Sequence, residues 1–116
     1  MAFENSYILY KKLLSKPTIR LALLLRYLGN LQRDLRDYPK AKAWLEESRA
    51  IYEKIQGKNT IETAWILWDL GKVSLLEGSA KMAESYMRKA LEIFQNNAHP
   101  HASFILKDLA QVKKSK

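Results

Sequence analysis

Apolar residues recur along most of the chain at intervals of three and four positions, which is the spacing of one face of an α-helix. Candidate helix starts and stops fall between these stripes. Thr18 and Thr60 can act as N-caps, Pro39 suits a first turn, and Gly57 can close a helix. Together these features predict an all-α chain with six helices near residues 3–15, 18–35, 39–55, 60–77, 80–96 and 100–113.

The predicted helices are of two kinds. Those over 18–35 and 60–77 are apolar nearly all round, whereas those over 39–55 and 80–96 are apolar on one side only. A helix that is apolar all round must be covered on several sides. Short connections make neighbouring helices antiparallel. We therefore expect stacked helical hairpins, with the first helix of each hairpin on an inner wall and the second in an outer layer.

The sequence also repeats itself at a shift of 42 positions, and a partial third copy follows at a shift of 39. The register reaches back to the first residues, where Ser6 aligns with Ser48 and Tyr10 with Tyr52. We therefore predict one domain over 1–116, made of a half repeat 1–17, repeats 18–59 and 60–99, and a half repeat 100–116.

The repeated residues resemble the tetratricopeptide repeat, whose pattern is W-x2-L-G-x2-Y followed by A-x3-F-x2-A. The two copies read Leu25-x2-Leu28-Gly29 then Ala41-x3-Leu45-x2-Ser48, and Leu67-x2-Leu70-Gly71 then Ala83-x3-Met87-x2-Ala90. The period of 42 resembles the longer, kinesin-light-chain type of repeat. The resemblance implies an α-α superhelix that acts as a protein-binding scaffold. It also implies packing roles for Leu28, Gly29, Ala41, Leu70, Gly71, Ala83 and Ala90.

The family's ligand-facing positions give the most specific expectation about a site. They correspond here to Leu23, Arg26, Asn30, Arg33, Trp65, Trp68, Lys72, Leu75, Phe104, Lys107, Gln111 and Lys114. Five of these twelve are basic, three are aromatic and none is acidic. The resemblance therefore implies a concave groove for an extended, acidic or aromatic peptide, formed by Arg26, Asn30, Arg33, Trp65, Trp68, Lys72, Lys107 and Gln111.

Within that groove each residue type suits a different task. Arg26 and Arg33 can bind carboxylates through paired hydrogen bonds, and Asn30 can bind a peptide backbone. Trp65 and Trp68 can receive an apolar anchor, because aromatic side chains often dominate binding energy. The alternative for the two tryptophans is that they fill space between repeats.

Composition narrows the classes of function further. The formal net charge of +8 favours an acidic protein partner. There are no cysteines, which excludes disulfides and thiolate chemistry. The longest apolar run, residues 21–25, is far shorter than the roughly 20 residues of a membrane span. No secretion signal is recognised, so we expect a cytoplasmic protein that does not bind membranes.

Features that suggest catalysis are weak. The segment Gly57-Lys58-Asn59-Thr60 lacks the upstream glycine of a phosphate-binding loop. His99 and His101 flank a proline in a predicted connection, where a turn is the simpler interpretation. For Asp69 and Asp108 we favour a surface charge or a hydrogen bond between helices over an acid–base role. We therefore expect no enzyme activity, no cofactor and no metal.

Two other functions remain open at this point. Nucleic-acid binding is suggested by the net charge and the tail at 113–116, although no reader motif is present. Self-association is suggested by the two half repeats. Either the chain would form a homodimer through its terminal helices, or it would be part of a longer array. The terminal apolar residues that we expect to lack a covering neighbour are Phe3, Tyr7 and Tyr10, and Ile105, Leu109 and Val112.

Overall fold

A computed structural model describes residues 18–115 of the chain. This part contains no strand and forms five helices: α1 (Ile19–Asp34), α2 (Tyr38–Gln56), α3 (Ile61–Leu76), α4 (Ala80–Asn96) and α5 (Ala102–Ser115). The all-α prediction is confirmed, and five of the six predicted helices are found within two residues of their expected bounds. The sixth, near 3–15, and the half repeat 1–17 lie outside the described residues, as do Phe3, Tyr7 and Tyr10.

The helix ends follow the residues that predicted them. The hydroxyls of Thr18 and Thr60 each accept a hydrogen bond from the backbone N–H three residues on, at 3.2 and 3.3 Å. Asp37 caps α2 in the same way at 3.3 Å. Ser79 stands at the N-cap of α4, but its side chain makes no capping bond. Gly57 ends α2 with φ +98, in the left-handed region that glycine tolerates.

Close packing within each hairpin depends on one glycine per repeat. A Cβ added at Gly29 would lie 2.7 Å from Leu45 Cγ, and one at Gly71 would lie 2.8 Å from Met87 Cγ. A larger residue would therefore push the helices apart. All seven predicted packing positions are buried: Leu28, Gly29, Ala41, Leu70, Gly71, Ala83 and Ala90.

The hairpins stack with the 42-residue offset that the sequence predicts, since α3 starts 42 residues after α1 and α4 starts 42 residues after α2. Helix α2 packs on α3, and α4 packs on α5. Helices α1, α3 and α5 therefore form an inner layer, and α2 and α4 form an outer layer. The molecule measures 44 × 30 × 18 Å along its principal axes.

Two apolar clusters form the core, and each crosses a boundary between repeats. Ile66, Leu70 and Val73 of α3 join the cluster of the first hairpin. Three residues of α5 join the cluster of the second: Ile105, Leu109 and Val112. The prediction that these three lack a covering neighbour is therefore wrong, because α5 turns this face toward α3 and α4.

Candidate functional site

An ion pair between α1 and α3 lies on the inner layer. Arg26 Nε donates a hydrogen bond to Asp69 Oδ2 at 2.7 Å, and Asn30 Nδ2 donates to the same oxygen at 3.3 Å. The Asp69 side chain is 8% exposed and that of Arg26 is 30% exposed. Burying a carboxylate is costly unless it is paired and hydrogen-bonded. Two of the predicted groove residues, Arg26 and Asn30, therefore already donate hydrogen bonds to a carboxylate of the chain itself.

The next pair of inner helices repeats this arrangement with a different donor. Trp68, which aligns with Arg26, donates from its indole N–H to Asp108 Oδ2 at 2.6 Å. Asp108 in turn aligns with Asp69 at the shift of 39. Both aspartates therefore join one inner helix to the next, which confirms the predicted hydrogen bond between helices.

Trp65 and Trp68 lie beside the connection from α4 to α5. The ring of His101 is 6.1 Å from that of Trp65 and 5.9 Å from that of Trp68, measured between centroids. Arg26 Cζ lies 5.6 Å from the Trp65 centroid, and Lys72 Nζ lies 4.3 Å from the Trp68 centroid. Both indoles are half-buried. They fill space between repeats and also border the inner layer, with a cation next to each ring.

A cleft of about 440 Å³ opens among the three inner helices. It is lined by Arg33, Lys72, Leu75, Leu76, Met87, Asp108 and Gln111. Each inner helix contributes at least one polar side chain, and α3 adds an apolar wall. The cleft brings together two cations that are 39 residues apart in the sequence, as well as the amide of Gln111.

The eight predicted groove residues thus fall into separate groups. Arg33, Lys72 and Gln111 share the cleft, whereas Arg26 and Asn30 are bonded to Asp69. The two tryptophans lie in the aromatic cluster, and Lys107 is exposed on α5 without lining the cleft.

Sequence reasoning missed three residues that line the cleft: Leu76, Met87 and Asp108. Met87 is part of the repeat motif but was not predicted to face the groove. Leu76 follows the last family position on α3. Its only signal in the sequence is an apolar side chain at the end of an inner helix. The repeat alignment had already marked Asp108, but not as a neighbour of Lys72 and Arg33.

Burial changes the acidity of two tyrosines on the outer helices. Burial raises the pKa of Tyr52 and of Tyr86 above the usual 10.0, because a phenolate is poorly solvated there. Neither residue lines the cleft. Within residues 18–115 no group of three or more histidine, aspartate or glutamate side chains could hold a metal ion.

Comparison with protein families matches residues 20–96 to the tetratricopeptide repeat. The chain belongs to the tetratricopeptide repeat family. The recognition made from the sequence, with its 42-residue period, is therefore confirmed. As a tetratricopeptide repeat protein, the chain has the architecture of a protein-binding scaffold.

Known relatives of this tetratricopeptide repeat protein are much longer. They include the clustered mitochondria protein homologs of Ajellomyces capsulatus, 36% identical over 67 residues, and of Aspergillus fumigatus, 37% identical over 67 residues. Each match covers 58% of this chain and 5% of the relative. The chain therefore spans a small part of the length of these relatives.

A solved structure supports the fold over a larger part of the chain. The crystal structure of BtubC (BKLC) from P. vanneervenii is similar, with a TM-score of 0.81 and 20% sequence identity. The likeness covers 85% of this chain and 41% of that one. At this identity it shows the solenoid fold alone. None of the helices within 18–115 has the length and apolar character needed to cross a bilayer.

Proposed function

We propose that this tetratricopeptide repeat scaffold binds an extended, acidic segment of a partner protein in the cleft of the inner layer. The observation that carries the proposal is the convergence of Arg33, Lys72 and Gln111 on one opening of about 440 Å³. An amide and two cations beside an apolar wall suit a peptide that carries carboxylates and an apolar side chain.

Arg33 and Lys72 are the groove cations best placed to receive these carboxylates. The ion pair of Arg33 is with its exposed neighbour Asp34 at 3.4 Å, which is worth at most about 1 kcal/mol. Lys72 lies over the Trp68 ring and forms no ion pair with the described residues. An arginine can bind a carboxylate through two parallel hydrogen bonds, whereas a lysine acts as a compact charge.

Asp108 determines where in the cleft a ligand carboxylate is expected to bind. Its carboxylate accepts from Trp68 but remains a negative charge at one edge of the opening. A ligand carboxylate is therefore expected nearer to Arg33 than to α5. Leu75 and Leu76 form the apolar part of the cleft, so we place the apolar side chain of the ligand there.

Arg26 and Trp68 are less suitable than the cleft residues for testing this proposal. Each donates a hydrogen bond to an aspartate of the next inner helix, so replacing either one changes stability as well as any binding. The two tryptophans can still contribute to the groove, but the cleft residues give the cleaner test.

The test is an array of short peptides probed with the purified chain. We expect binding to peptides with two acidic residues and one large apolar residue, and weaker binding to versions with Gln in place of Glu. Arg33→Gln and Lys72→Gln should each weaken binding about tenfold or more, since a hydrogen bond to a charged group contributes about 1.5–3 kcal/mol.

Lys81→Gln is the matched control, because Lys81 is exposed on the outer helix α4. It removes the same charge and should leave affinity within about twofold at ordinary salt. Ligand binding should also change the fluorescence of Trp68, because Lys72 lies 4.3 Å from its ring. Equal affinity in the two cleft variants and the control would remove the cleft from consideration.

We further propose that the chain acts without catalysis, cofactor or metal and works in the cytoplasm. Membership of a family of interaction scaffolds supports the first part. Imaging of the tagged full-length protein tests the location.

A further inference from the structure

The connection between α4 and α5 contains both histidines of the chain, His99 and His101. The backbone N–H of His101 donates to Nδ1 of the His99 ring at 3.2 Å. The backbone carbonyl of His99 accepts from the N–H of Ala102, the first residue of α5, at 3.2 Å, and its N–H donates to the carbonyl of Phe94 in α4 at 2.8 Å. His99 therefore joins the end of α4 to the beginning of α5 through both its backbone and its ring.

The hydrogen bond to the His99 ring requires a neutral imidazole. A nitrogen that accepts a hydrogen bond must offer a lone pair, and a neutral imidazole has one such nitrogen. The ring proton of His99 is therefore on Nε2. A second proton would go to Nδ1 and make it a donor that faces the N–H of His101. The hydrogen bond that holds the start of α5 cannot form in that state.

Aromatic rings hold both imidazoles in place. The ring of His99 lies 5.1 Å from that of Phe94 on α4, 6.2 Å from that of Trp65 on α3 and 4.7 Å from that of His101, measured between centroids. Nδ1 of His101 is buried and has no hydrogen-bond partner. Protonation of His101 thus breaks no hydrogen bond, whereas protonation of His99 breaks one.

The charged groups around these rings belong to three helices. Arg26 of α1 lies beside Trp65, and Lys72 of α3 and Asp108 of α5 lie beside Trp68, whose ring contacts His101. The contacting side chain of α4, Phe94, carries no charge. Neither imidazole forms an ion pair with a carboxylate of residues 18–115.

Trp68 connects this cluster to the cleft of the inner layer. Its ring lies 5.9 Å from that of His101, and its N–H donates to Asp108 at 2.6 Å. Lys72 Nζ lies 4.3 Å from the Trp68 centroid. Asp108 and Lys72 line the cleft, together with Gln111 of α5. The placement of α5 therefore determines the shape of the opening.

We propose that His99 is a proton-sensitive positioning residue for the cleft. In its neutral form it anchors the start of α5, and in its protonated form it releases this anchor and weakens ligand binding. Histidine is the side chain that ordinarily changes charge between about pH 5 and 8. The change in affinity rests on the proposed function of the cleft, whereas the anchoring of α5 does not.

The first test measures amide hydrogen exchange without any ligand, at about pH 7.5 and about pH 5.5. After correction for the intrinsic exchange rates, protection of the amides of residues 102–109 should fall about fivefold or more at the lower pH. This ratio corresponds to the loss of one net hydrogen bond. Protection in α2 should remain unchanged. Because the chain has only two histidines, the response can be assigned with two positions of substitution.

Three variants assign the response. His99→Asn places an acceptor oxygen near the position of Nδ1 but takes up no proton, so α5 should be held equally well at both pH values. His99→Phe keeps a ring without an acceptor, and protection of α5 should be low at both. His101→Phe is the matched control, since it removes the other imidazole and should retain the wild-type response. Circular dichroism shows that each variant is folded.

The second test measures affinity for the synthetic peptide Glu-Glu-Leu-Glu with blocked ends, whose carboxylates are charged at both pH values. The wild-type chain should bind it about twofold or more weakly at about pH 5.5, since only the anchored fraction binds fully. His99→Asn should bind it equally at both. No binding at either pH would refute the function of the cleft and the change in affinity, and the exchange measurement would still decide the anchoring.

Three results would overturn the anchoring role of His99. They are equal protection of α5 at both pH values in the wild-type chain, an equal fall in His99→Asn, and loss of the response in His101→Phe. The first would show that α5 is held without the hydrogen bond to His99. The other two would assign the response to a group other than His99.

Discussion

Removal of Arg26 is expected to destabilise the chain more than neutralisation of its partner Asp69, although both changes break the same ion pair. Arg26→Gln leaves a carboxylate that is 8% exposed with the amide of Asn30 as a donor. Asp69→Asn leaves a guanidinium that is 30% exposed and can turn toward water. The penalty for an unpaired buried charge therefore falls on the first variant only.

The expected magnitudes follow from this difference in exposure. A hydrogen bond to a charged group contributes about 1.5–3 kcal/mol net. Breaking a fully buried pair by removing one partner costs about 3–5 kcal/mol. This pair is half-buried at its arginine, so we expect a loss of about 2–3 kcal/mol for Arg26→Gln and about 1–1.5 kcal/mol for Asp69→Asn.

The assay is urea unfolding followed by circular dichroism for both single variants and the double variant. Because the two residues are in contact, the double variant should lose at least about 1 kcal/mol less than the sum of the single losses. Arg88→Gln is the control, since Arg88 pairs with Glu84 at 3.1 Å on an exposed surface and should cost less than about 1 kcal/mol. Equal losses for Arg26→Gln and Asp69→Asn, or strictly additive ones, would refute the reasoning.

Three further substitutions test other contacts. Gly71→Ala places a Cβ 2.8 Å from Met87 Cγ, so overpacking of about 1–3 kcal/mol should exceed the gain in helix propensity of about 1 kcal/mol and lower the urea midpoint. A raised midpoint would contradict this. Trp68→Phe removes the donor to the Asp108 carboxylate and should cost about 1.5–3 kcal/mol in the same assay. Burial raises the pKa of Tyr52 above 10.0, so its contribution to stability is complete below about pH 10 and is lost as the pH rises through the raised pKa. Tyr52→Phe should flatten that alkaline fall, and an unchanged slope would exclude Tyr52 as its source.

The helices and their pairing could be predicted because they depend on local spacing. An apolar stripe, a threonine before it and a glycine after it act within a few residues of each other. The packing roles of Gly29 and Gly71 could also be predicted from the sequence, since the same residue recurs where two antiparallel helices approach most closely. The half repeat 100–116 was predicted as a helix, but Ile105, Leu109 and Val112, which we expected to lack a covering neighbour, are buried.

That error has a physical origin in the stacking of repeats. Leu106 and Leu109 are both apolar and lie three residues apart on α5, so their pattern alone does not say which one meets α4. The rotation of α5 about its own axis, relative to the second hairpin, decides which of the two leucines is buried. Leu109 enters the core at 6% exposure, while Leu106 remains at the surface.

The amino-acid pattern was enough to establish an all-α array of 42-residue repeats, because helix spacing is a property of the chain at short range. The places of the predicted groove residues were decided by contacts between residues about 40 positions apart. Asp69 accepts a hydrogen bond from Arg26, which lies 43 residues earlier in the sequence. Asp108 accepts one from Trp68, which lies 40 residues earlier. Each separation exceeds the corresponding repeat shift, 42 or 39, by one residue. The separations depend on how one hairpin is offset against the next. That offset arises only when the repeats pack together, and it leaves Arg33 and Lys72 at the cleft.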